Sequence, residues 1–210
     1  DSGLNFNLDD FKDNTGITFY NAFDDSENKN DCLDSDITGH GTDCTAILCA
    51  KGASFYGVAP AISLIVIKIT NQEGGRTIPA FKRGLSKAID EGADVISISF
   101  SLAQTPSNGD DINQIHELVK KAYDRNITIV ASAGDAGTLL FPINLFPASF
   151  PECLSIGGIN MNRKRSNSSC RSDFLDLMGP GENITSLFNP AFPIKGTSFS
   201  TPFVAGVIAL

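Results

Sequence analysis

No apolar run in the 210-residue sequence approaches the roughly 18 residues a membrane-spanning helix needs, and no charged-then-apolar leader opens it. No membrane segment is therefore expected within this stretch. Positive charge is also scarce. Sixteen Lys and Arg against 24 Asp and Glu leave a net charge of −8, without the basic stripe that a phosphate backbone demands, which argues against nucleic acid as a partner. The five cysteines (Cys32, Cys44, Cys49, Cys153, Cys170) form no C-x-x-C pair, which argues against a zinc knuckle. Their odd number leaves at least one unpaired unless a partner lies outside the segment. Pairing among the others would imply an oxidising compartment, but the sequence cannot choose the pairs. Internal repeats and inter-domain linkers are absent as well, so a chain with 41% hydrophobic residues reads as a single domain.

What is present has a clear order. The polar, acidic stretch 24–36 has no periodicity and reads as a solvated surface loop rather than a cation site. Thr42 to Ala50 suits a short buried helix, and the β-branched run Ser63 to Ile69 suits a strand covered on both faces. Ile78, Phe81, Leu85 and Ile89 recur at helical spacing between Ile78 and Glu91, and Gly92 suits the helix end. A strand Ala93–Phe100, an amphipathic helix Ile112–Arg125, a strand Ile127–Ala133 and a strand Ser155–Ile159 follow. Strands alternating with helices predict an α/β fold with a mostly parallel sheet between helices. Three glycosylation sequons, at Asn126, Asn167 and Asn183, would fit secretion, although chance in an asparagine-rich chain explains them comparably well.

Histidine is the scarcest residue with useful chemistry, and the two copies differ in setting. His116 lies on the polar side of an amphipathic helix, which suits a solvated surface role. His40 lies in Gly-His-Gly-Thr at a helix start, where flanking glycines let other groups approach the ring and where its pKa near neutrality suits a general base. Near the C-terminus, Gly196-Thr197-Ser198 precedes an apolar helical pattern, which sets a hydroxyl among the N–H groups of a helix N-terminus. Ser or Thr there is commonly only a helix cap. Asp1-Ser2-Gly3, Gly39-His40-Gly41-Thr42 and Gly196-Thr197-Ser198 nevertheless occur together in the order Asp, His, Ser.

With these motifs in that order, the chain resembles the subtilisin-like serine proteases, the subtilases, along nearly its whole length. Gly57-Val58-Ala59-Pro60, Asp94-Val95-Ile96, Phe146-Pro147-Ala148-Ser149-Phe150-Pro151 and Met178-Gly179-Pro180-Gly181 are further ordered matches. The resemblance implies a three-layer fold and a serine endopeptidase in which Ser198 is nucleophile, His40 base and Asp1 its orienting carboxylate. It further implies that Ser99-Phe100-Ser101 pairs with an extended substrate and that Ala133-Gly134 forms a pocket wall. Ser101 replaces the family's glycine. Cys44, four residues after His40, resembles a thiol carried by proteinase K-like members, or is simply a small buried residue. Asp43 stands where many relatives have a second histidine and is assigned no role. Catalysis needs no cofactor and no metal; structural calcium is common in the family, with ligands that cannot be carried over. Polypeptide substrates, a propeptide and an extracytoplasmic location are implied likewise. Residues 1–210 read as a catalytic domain cut at both ends, lacking a strand before Asp1 and stopping within a helix.

One residue departs from the pattern. Ala131-Ser132-Ala133-Gly134-Asp135 matches the family's A-[AS]-A-G-N except at its end, where the asparagine donates an N–H to the oxyanion. An ionised carboxylate has no proton to donate there. Loss of this donor costs about 10² to 10³ in kcat, a magnitude that comes from subtilisin itself. Two outcomes are expected. If burial and the developing anion protonate Asp135, the chain is an acid-shifted protease. If not, it is a weakened subtilase serving as a peptide-binding or regulatory module.

Overall fold

The computed structural model describes residues 1–12, 16–52, 55–71, 73, 75–139 and 141–210. In chain order these residues form α1 (Asp9–Lys12), β1 (Ile17–Asn21), a 3₁₀ turn (Lys29–Cys32), α2 (His40–Cys49), β2 (Leu64–Lys68) and α3 (Ile78–Asp90). After these come β3 (Val95–Ile98), β4 (Leu102–Ala103), α4 (Gly109–Asp124), β5 (Thr128–Ser132), β6 (Leu145–Phe146), β7 (Cys153–Ile159), β8 (Leu177–Pro180) and α5 (Thr197–Ala209).

Successive side chains of a strand point to opposite faces, and β5 shows what that does here. Ile129 and Ala131 pack with Phe81, Leu85 and Ile89 of α3 and Ile115 and Val119 of α4. Val130, between them, packs with Ile156, with Ala205 of α5 and with Leu48 of α2. The sheet β3-β5-β7-β8, parallel throughout, thus lies between α3 and α4 on one face and α2 and α5 on the other. This is the three-layer α/β architecture expected. Each fully buried Ile or Val contributes about 1.5–3 kcal/mol of transfer free energy, so the two faces of β5 anchor both helix layers.

Local signals explain the element ends. The Thr77 hydroxyl accepts the Ala80 N–H at 3.3 Å and caps α3, and Gly92 ends it at φ +72°. The strand expected to reach Phe100 stops at Ile98, where pairing with β5 ends. β1, which carries no clear alternation, was not anticipated; it runs parallel to β2 from Ile17↔Leu64 to Asn21↔Lys68. The run through β2 was expected to be covered on both faces, yet Leu64, Ile65 and Ile67 are only partly buried. The cause is a slot of about 750 Å³, lined by Leu64 to Ile67 on one side and by Ala93 to Phe100 on the other.

The acidic stretch is held by the chain's own donors. Asp24 accepts from Asn21, Asp31 from Ser26, and Asp34 from the N–H and hydroxyl of Thr42 at 2.8 and 2.6 Å. The buried Lys68 ammonium, with Asp24, Asp31 and Asp34 as electrostatic neighbours, donates to Leu33 O at 2.6 Å and to Ser35 Oγ at 2.9 Å.

Candidate active site

Gly39 enters α2 at φ +66°, a conformation that favours glycine, and the next residue is His40. A side chain at Gly39 would also collide with the Phe188 ring. Asp1 reaches the same place from β2: its backbone nitrogen donates to Ile67 O at 2.9 Å, and its carbonyl accepts the Ile69 N–H at 2.8 Å. With the backbone so fixed, Asp1 Oδ1 lies 2.8 Å from His40 Nδ1. The same oxygen accepts the Ser2 N–H at 2.7 Å, and Ser2 Oγ accepts the Gly41 N–H at 2.9 Å. The carboxylate therefore fixes both ring orientation and tautomer, leaving Nε2 as the free base.

Burial works against the charged imidazole, whereas Cys44, whose Sγ is 3.9 Å from Nδ1, works for it, and the net direction for His40 is upward. The Asp1 carboxylate acts in the same sense.

The opposite wall comes from α5. Gly196 approaches Asp135 closely, Thr197 opens the helix, and Ser198 is its second residue. Cys44 Sγ touches Ser198 O at 3.5 Å, and the His40 ring lies 5.3 Å from that of Phe199, so α2 and α5 present His40 and Ser198 to one cleft. The Ser198 hydroxyl is turned toward Ser99 O at 3.5 Å, while Ser99 Oγ donates to Ser198 O at 2.6 Å. Hydrogen bonds in such sites often align only with substrate bound.

Asp1, His40, Ser198 and Ser99 are thus brought together, and Phe100, the residue after Ser99, packs against Phe81. Gly134, at φ +95°, donates its N–H to Thr197 Oγ1 at 3.0 Å, which joins the Ala133-Gly134 turn to the start of α5. Asp135 corrects an expectation, for it is exposed rather than buried. Its oxygens accept the Thr197 N–H at 3.0 and 3.3 Å and the Thr197 hydroxyl at 3.3 Å. A carboxylate there caps α5 and favours its positive end, the place where a developing oxyanion would also lie.

His116 lies part-exposed on α4, as its surface role implied, and stacks on Phe150, with ring centroids 4.2 Å apart and its Nε2 2.9 Å from Glu152.

Sequence reasoning missed two supports. Asp43, 2% exposed, accepts from Ser186 Oγ at 2.7 Å and from the N–H groups of Leu187 and Phe188 at 2.7 and 3.0 Å. It thereby holds Phe188 against Gly39. Asp34 does the same for Thr42 from the other side. Asp1, His40 and Cys44 are the one group among the described residues whose potential metal-ligating atoms lie within 4.8 Å of one another. A cation there would compete with Asp1 for Nδ1, so it would oppose the orientation just described.

A family model described as "Subtilase family" matches residues 1–210. The chain is 32% identical over 196 residues to the intracellular serine protease of Paenibacillus polymyxa, covering 90% of this chain and 58% of that protein. Over 181 residues it is 33% identical to subtilisin DY of Bacillus licheniformis, covering 84% and 64%. Among solved structures it is similar to the "crystal structure of a cold adapted subtilisin-like serine proteinase", with a TM-score of 0.81 and 25% identity, covering 100% of this chain and 71% of that one.

Proposed function

The chain belongs to the subtilase family, and from that premise we propose that it is the greater part of a serine endopeptidase whose turnover is governed by Asp135. The chain spans about 58% and 64% of the length of the two curated relatives described above, so the activity belongs to a longer protein. The observation that carries the reading is the Asp1–His40 pair, 2.8 Å apart, set in one cleft with Ser198.

A peptide extended along Ser99-Phe100-Ser101 presents its carbonyl carbon to Ser198 Oγ, which rotates about χ1 away from Ser99 O. His40 Nε2 takes the hydroxyl proton as the C–O bond forms, then delivers it to the departing amine as the C–N bond breaks. Water repeats the sequence on the acyl-enzyme and releases the acid. The Ser198 N–H, between a Thr197 N–H taken by Asp135 and a Phe199 N–H donated to Gly196 O, faces the oxyanion.

Asp135 adds a second protonation requirement. It donates to the oxyanion only as a carboxylic acid, whereas His40 works only as the neutral imidazole, so activity is low at neutral pH and rises on the acid side until His40 is protonated.

A second reading, a peptide-binding module, is favoured by the Asp135 carboxylate lying on the first N–H of α5. Labelling the full-length protein with a serine-directed phosphonate from pH 4 to 8 separates the two. Modification of Ser198 supports the enzyme; peptide binding without labelling at any pH supports the module.

The slot between β2 and β3 is the place for a further strand of the longer protein, which would join the two parallel sheets. Polypeptide substrates and a propeptide are the partners of this reading. An extracytoplasmic location is supported by the exposure of Asn126, Asn167 and Asn183. The free thiols of Cys32, Cys44, Cys153 and Cys170, and a relative named as intracellular, support the opposite. Glycans found at those asparagines by mass spectrometry would establish the first.

A further inference from the structure

The guanidinium groups of Arg83, Arg125 and Arg165 are occupied by backbone carbonyls of their own surroundings. Arg76 differs. It is exposed, and among the described residues its side chain forms neither an ion pair nor a hydrogen bond; its guanidinium carbon stands 5.7 Å from the centroid of the Phe100 ring. Its position is fixed from both sides of the cleft. An antiparallel bridge joins Arg76 to Thr70, the residue after Ile69, whose N–H bonds Asp1 O. Phe100 follows Ser99, which bonds Ser198 O. The Arg76 charge acts on Asp36 and on His40, lowering both.

We propose that Arg76 is a specificity-determining residue that selects an acidic side chain on the N-terminal side of the scissile bond. The proposal rests on the placement of substrate along Ser99-Phe100-Ser101 given above. A peptide paired with that segment is extended, so alternate side chains turn the same way, and those turned toward Phe100 meet the guanidinium. The cation–π contact with the ring favours this position and leaves the N–H donors open, which suits a carboxylate. The field of the whole chain, at −8, repels acidic peptides, so an acidic preference would have to arise from this contact.

The test uses the full-length protein and peptide pairs differing only by Asp against Asn, or Glu against Gln, at each of the four positions before the cleaved bond. The expected kcat/KM ratio favours the acid by about 3- to 10-fold at one position or more, vanishes in Arg76→Gln and reverses in Arg76→Glu. An identical ratio in wild type and Arg76→Gln overturns the proposal. If no peptide is cleaved, the proposed function fails while this inference is still tested: the same pairs are titrated onto Ser198→Ala by fluorescence anisotropy, with the same Kd ratio expected. Equal Kd values for the acid and amide peptides would overturn it.

Discussion

The two walls of the cleft are built differently. On the α2 wall, Asp1 Oδ1 is shared between His40 and Ser2, Ser2 holds Gly41, Asp34 holds Thr42, and Asp43 ties down residues 186–188. On the α5 wall, the Ser198 hydroxyl has one long contact, and Asp135 caps the helix from an exposed position. His40 is oriented by the fold itself, whereas the Ser198 hydroxyl is not yet held by His40. On the proposed reading, catalysis is limited at the second wall, and substitutions in the two walls should differ in kind.

The largest effect is expected on the first wall. Asp1→Asn keeps the shape but loses the carboxylate that sets the His40 tautomer, and kcat should fall about 10⁴-fold with KM little changed. Steady-state kinetics on a peptide substrate checks this. A fall under tenfold would mean that the Asp1–His40 contact does not organise the base.

Next is Asp43→Ala, which strands a hydroxyl and two backbone N–H groups in a buried place. At about 1–3 kcal/mol for each unsatisfied group, partly relieved by water, a loss of about 3 kcal/mol is expected in urea unfolding. Asp43→Asn, which retains an acceptor oxygen, should lose less. Equal losses would contradict the account of that wall.

The smallest effect concerns Cys44. Because Cys44 helps raise His40, Cys44→Ala should move the acid limb of kcat/KM to lower pH. The sign follows from the raised pKa: removing a group that favours the imidazolium lets the ring stay neutral further into acid. The same linkage bears on stability, since the stabilisation that Cys44 gives charged His40 is fully present below the unfolded pKa and is lost as pH rises through the folded one. A limb that does not move would mean that Asp1 alone sets the shift.

Much of this was legible in the sequence where the signal is local. α3 and β5 carry complete periodic patterns, and His40 and Ser198 are marked by the glycines beside them. β1 was not legible, because Ile17-Thr18-Phe19-Tyr20-Asn21 has no clean alternation and owes its conformation to β2, far along the chain. Asp43 was not, because its partners lie 143 to 145 residues away and a buried carboxylate leaves no spacing to read. The identity of Asp135 could be read, but its exposure could not, since that depends on where the start of α5 docks.

The central claim is that the proton on Asp135 limits turnover. Measuring kcat from pH 4 to 9 for wild type and Asp135→Asn on one peptide tests it directly. The account predicts that Asp135→Asn is faster by about 10² at pH 8 and that the advantage shrinks as pH falls. Superimposable profiles, or a slower Asp135→Asn at pH 8, would contradict it.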